Sequence, residues 1–125
     1  MDNKIDPIIP EYARDAVYQE MVRLCDMIGL KVRYCDLSDR IMGRSDRYHI
    51  IEMSKEDIYK SPENATKVLG HELAHSITDH MIDSEDGEEI DCDRIGEALY
   101  VFADLISLHK CEEQTRKLFQ KARVK

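Results

Sequence analysis

At 125 residues, with 42% hydrophobic and 35% charged side chains, the chain is long enough to bury a core and too apolar to be disordered. Its 18 Lys and Arg stand against 26 Asp and Glu, and seven of the eleven residues from Asp83 to Asp93 are acidic, which argues against direct nucleic-acid binding. No apolar run nears the ~20 residues of a membrane span, and MDNKIDPIIPEYARD lacks a basic region leading into an apolar one, so a cytoplasmic single domain over 1–125 without a membrane partner is expected.

With no Trp and two Phe, the core must be mainly aliphatic, helped by six Met and six Tyr. After Pro10 a helix is predicted to about Ile28, with Ala13, Ala16, Val17, Met21, Leu24 and Ile28 inward and Gly29 as a left-handed cap. Lys31 to Cys35 reads as a strand and Asp36 to Asp39 as a turn. A second turn is expected at Gly43 to Asp46, then a strand from Tyr48 to Met53, giving a small sheet with at least one hairpin. Ser54 and Asp57 suggest the cap of a short helix to about Lys60.

Ser61-Pro62-Glu63 is a stronger helix start: a cap, a proline at the first position and an acid at the positive dipole end. The helix from Pro62 to about Met81 has an apolar stripe of Ala65, Leu69, Leu73 and Ile77. The acidic stretch ends it. Its oxygen ligands and Gly87 do not fall at calcium-loop spacing, so a solvated loop is expected. A last helix begins near Ile90, with Ile95, Ala98, Leu99, Phe102, Ile106 and Leu118 inward and a break allowed between His109 and Glu113. The order defines an α+β domain. Cys25, Cys35, Cys92 and Cys111 form no CxxC pair and read as reduced thiols.

Chemistry concentrates in His71-Glu72-Leu73-Ala74-His75. Residues four apart on a helix share a face, so His71 and His75 can offer imidazoles to one metal ion, with Glu72 beside them as general base. Chance alone gives HExxH in about one such chain in fifty, and the plainer alternative is two histidines on an ordinary amphipathic helix. A catalytic zinc needs a third protein ligand. The three-His pattern is excluded because Met81 stands six residues after His75. Glu97, on the following helix, is the chosen carboxylate; Glu88, Glu89, Asp91 and Asp93 are its rivals. The apolar neighbours of Glu97 suggest a buried helix, where an unpaired carboxylate is costly. Asp104 or Asp79 could orient an imidazole, Tyr100 or His80 could serve an oxyanion, and His49 and His109 carry no further signal.

The run Lys67-Val68-Leu69-Gly70-His71-Glu72-Leu73-Ala74-His75-Ser76, with Glu97-Ala98 and Phe102-Ala103-Asp104 beyond it, resembles the ImmA/IrrE metallopeptidase family of bacteria, phages and mobile elements. One extra residue precedes the Phe, and the family's Asn is missing. The stretch Ile50 to Ile106 also resembles the zincin domain of ArdC-type antirestriction proteins, without their T-G-H continuation. The resemblance implies a minimal zincin-like fold of the gluzincin type, with a small twisted sheet, an active-site helix and a C-terminal ligand helix. It implies Zn2+ on His71, His75 and Glu97, with Glu72 taking a proton from a zinc-held water that attacks a peptide carbonyl. The substrate class it implies is a specific intracellular protein such as a repressor. Two alternatives remain: a weakly active or inactive zincin-fold module, such as an antirestriction or nucleic-acid-mimicking regulator, and a structural zinc domain with Cys92 as a fourth ligand.

Overall fold

The computed structural model describes residues 9–38, 41–56, 58–81 and 88–123. Its order is a short 3₁₀ turn (Glu11–Arg14), α1 (Ala16–Met27), β1 (Lys31–Cys35), β2 (Gly43–Ser45), β3 (Ile50–Ser54), α2 (Pro62–Met81) and α3 (Glu88–Arg123). The domain is mixed α+β, with three helices and one three-stranded sheet among the described residues. Among them, no helix is long and apolar enough to cross a membrane.

The expected first helix is divided. Asp15 leaves helical geometry at ψ 137° and its carboxylate accepts from the N–H groups of Val17 and Tyr18, so it caps α1 and separates it from the 3₁₀ turn. The inward face is Tyr18, Met21 and Cys25, whereas Ala16 and Ile28 are exposed. Gly29 takes φ +87°, the left-handed cap expected of it.

β1 falls where its sequence placed it. Gly43 to Ser45 is a strand rather than a turn: it pairs antiparallel with β3, Gly43 opposite Met53. The turn lies one step later, where Asp46 Oδ1 accepts from the N–H groups of Tyr48, His49 and Ile50. That fan of donors fixes the hairpin and starts β3 at Ile50 rather than Tyr48. The sheet order is β1-β3-β2, with β1 and β3 parallel. Ile51 and Met53 point into the core, while Glu52 sits outside between Arg33 and Arg44. The short helix expected after Ser54 is absent from described residues 54–56 and 58–60; Asp57, its second cap residue, and Asp39 lie outside the described residues.

α2 spans its predicted range, and Ser61 Oγ accepts from the Asn64 N–H as a cap. Ala65, Leu69 and Leu73 are buried, and full burial of each leucine contributes about 1.5–3 kcal/mol. α3 runs from Glu88 to Arg123, starting two residues before the expected Ile90 and without a break between His109 and Glu113, and Asp91 and Asp93 stand near its start. Its inward face also differs from expectation. Small residues (Cys92, Gly96, Ala103 and Ser107) are buried, while Ala98, Phe102 and Leu118 face outward. Both Phe residues are therefore exposed. The core's aromatics are Tyr12, Tyr18 and Tyr59, with half-buried Tyr34 against them; Tyr12 meets each of the other three edge to face. Burial pushes the Tyr18 phenol far above its ordinary range.

Candidate metal centre

α2 carries the central residues because two neighbours approach it closely. α3 crosses it at paired glycines: a Cβ on Gly70 would lie 3.1 Å from Gly96 O, and one on Gly96 would lie 3.0 Å from His71 N. On its other side, β2 sits so near that a Cβ on Gly43 would meet Val68 at 3.1 Å and Glu72 Cγ at 3.3 Å. Glycine at these three positions lets a sheet edge and a helix flank the HExxH turn. Between them opens a cleft of about 460 Å³. Ile41, Met42 and Val68 form its apolar wall, and Lys67, His71, Glu72, Asp93 and Glu97 its polar one.

His71 and His75 meet with their Nε2 atoms 3.2 Å apart. His75 is buried and His71 half-buried. Two imidazoles on a tetrahedral zinc, each about 2.05 Å from the ion, would place their nitrogens about 3.3 Å apart. The separation of the pair therefore matches that of two imidazoles on such an ion. On the far side of its ring, His71 donates from Nδ1 to Asp93 Oδ1 at 2.8 Å, which turns its Nε2 lone pair toward His75. Asp93 thus occupies the orienting position considered for Asp104 and Asp79. Asp104 instead lies near Tyr100, whose phenol it helps to raise after burial and Glu63; the side chains of Asp79 and His80 lie outside the described residues.

Glu72 is half-buried in the cleft wall, and its charge adds to the burial that raises the Tyr59 phenol. Glu97 lines the same cleft, but its Oε2 is 3.7 Å from Lys67 Nζ and its side chain is 62% exposed. The burial argument for Glu97 therefore fails, because the helix is half in solvent at that turn. Among the described residues, no group of three or more His, Cys, Asp or Glu side chains gathers as a metal-holding cluster. Glu88 and Glu89 have no described side chains, and Asp91 is outside the cleft wall. Cys92 is buried against Thr78 Oγ1 at 3.8 Å and does not line the cleft.

The Tyr100 hydroxyl donates to Glu63 at 3.3 Å, away from the histidines. His49 pairs with Asp46 at 3.6 Å and His109 with Glu113 at 3.7 Å, both outside the cleft wall. The four thiols are unpaired with one another, Cys111 exposed and Cys25 buried, whose pKa burial pushes up to about 12.

Three contributors escaped the sequence reading. Lys67 reaches Glu63 at 3.9 Å as well as Glu97 and lies 5.3 Å over the Tyr100 ring. Tyr59, buried, accepts from the Ser54 N–H at 3.0 Å and donates to the Met42 carbonyl, so it ties the end of β3 to the chain entering β2. The glycines were readable only as residues inside a helix or a turn; Gly70 and Gly96 each directly precede a candidate ligand, which was the available signal. No protein-family model, curated protein or solved structure gave a significant match to the chain.

Proposed function

We propose that this chain is a zinc-dependent metallopeptidase of the minimal zincin type, akin to the ImmA/IrrE family and the ArdC zincin domain, cutting a specific protein in the cytoplasm. The observation that carries the reading is the 3.2 Å approach of the two imidazole Nε2 atoms beside Glu72, with Asp93 behind His71. His71 and His75 would hold the ion, and Glu97, which lines the cleft with His71, would complete the set. Zinc bound there would acidify a water and polarise a peptide carbonyl. Glu72 accepts the proton of the attacking water and returns it to the leaving amine nitrogen. Asp93 keeps the His71 ring in register. The apolar wall of Ile41, Met42 and Val68 receives a substrate side chain and excludes water.

A second reading, a zincin-fold protein-binding module with little turnover, draws on one observation: the Glu97 carboxylate pairs with Lys67 rather than with the histidines. Glu72→Gln separates the two, since it removes the base and leaves both imidazoles. The peptidase reading expects cleavage of the cellular target to fall at least about a hundredfold, as loss of a general base does. A biological effect that survives the substitution undiminished overturns it.

A further inference from the structure

Among the described residues, nothing packs on the outward face of α3. Val101, Phe102, Leu105, Leu108, Leu118 and Phe119 are each more than half exposed, and every side chain from Leu108 to Ala122 is exposed. A helix of 36 residues is about 54 Å long, and its last third passes beyond the body of the domain. Isolated helical stretches of about 12–15 residues are marginal in water, so this one asks for a surface to lie on. Val101, Leu105, Leu108, Glu112, Thr115 and Phe119 recur in alternating steps of four and three, the spacing of a two-stranded coiled-coil seam, with apolar residues at four of the six positions.

We propose that this face pairs with its own copy, the two α3 helices running antiparallel about a two-fold axis near Lys110. Two features select a second copy and this orientation. The first is charge. From Glu88 to Asp104 the helix carries six acids and one base, and from Leu105 to Arg123 five bases and two acids. An antiparallel pair sets each acidic half against a basic half, whereas a parallel pair stacks like on like. The second is register. Positions equidistant from 110 match Val101 with Phe119, so the large apolar seam residues at the two ends meet each other.

Four of the six exposed apolar side chains lie on the seam and Phe102 and Leu118 flank it; at about 100 Å² each they bury up to about 1,200 Å² in all, the lower edge of stable interfaces. Each projecting helix end then rests on the partner's body, and its basic terminus comes to the turn that carries Asp93 and Glu97. The inference does not depend on the peptidase reading.

Sedimentation velocity of the full chain tests it, together with the double variant Val101→Glu/Leu105→Glu. The expected result is a dimer for the parent that weakens with salt, and a monomer of unchanged helix content for the variant. A parent that stays monomeric at about 100 μM, above the micromolar constants of weak interfaces of this size, overturns the proposal. So does a dimer indifferent to the substitutions. Orientation is read in a Cys111→Ser background by oxidising Val101→Cys and Phe119→Cys chains. In the antiparallel pair, like positions lie about 27 Å apart, so the disulfide forms only when the two are mixed. Cross-linking of either variant with itself refutes the antiparallel arrangement.

Discussion

Replacing Gly96 by alanine puts the close crossing of α2 and α3 to the test. The added Cβ would stand 3.0 Å from His71 N and 3.2 Å from both Gly70 C and His71 Cα. Carbon atoms prefer about 3.5–4.0 Å, so α3 must withdraw by about 0.5 Å at this point. All three contacts are backbone, and no rotamer change relieves them. Overpacking of this kind costs about 1–3 kcal/mol, and rigid contacts sit at the upper end. Alanine returns about 1 kcal/mol in helix propensity. The net expectation is a loss of about 2 kcal/mol, or about 8 °C in Tm for a chain of this size.

The withdrawal has a second effect. Asp93 lies one turn before Gly96, so its 2.8 Å bond to His71 lengthens and zinc affinity falls about tenfold. Urea denaturation and competition with a chromophoric chelator measure the two. Gly29→Ala is the contrast: nothing lies within 4 Å, but φ is +87°, so it loses about 1 kcal/mol and leaves zinc affinity alone. A Gly96→Ala chain that is more stable than its parent, with unchanged affinity, refutes the crossing.

Tyr59→Phe removes the hydroxyl that joins Ser54 to Met42 and leaves a buried N–H without its acceptor, so stability should drop by about 2 kcal/mol; faster hydrogen exchange at Ser54 would locate the loss there, and unchanged exchange would contradict it. Asp46 is held down to about 2 by the backbone N–H groups of Ile50, His49 and Tyr48. A depressed carboxyl stabilises the fold above its unfolded pKa of about 3.9, and that contribution disappears as pH falls toward about 2. The Tm advantage of the parent over Asp46→Asn should therefore be full above about pH 4 and shrink toward pH 2; an advantage that is constant or grows on acidification contradicts the assignment.

The helix of the HExxH motif was legible to its ends because its signals are local: Ser61 as cap, Pro62 at the first turn and a four-residue apolar spacing. β1 was legible for the same reason. Gly43 to Ser45 was misread because glycine and serine favour turns in isolation, while here pairing with β3 and the need for close approach to α2 decide. On α3, large apolar side chains at helical spacing predict the wrong inward face. Close approach of two helices instead selects Cys92, Gly96 and Ala103, and expels Phe102. Of the candidate site, the two histidines and Glu72 followed from spacing alone. The role of Asp93 depends on where α3 crosses α2, at Gly70 and Gly96, and spacing within one helix carries no information about that crossing.

Elemental analysis of the purified full chain and its variants decides whether His71 and His75 hold a metal ion. About one zinc per chain is expected, as befits a single site, retained in Glu72→Gln and lost in His71→Ala and in His75→Ala. A parent chain that binds no divalent ion, or one that keeps its zinc when both histidines are replaced, would contradict it.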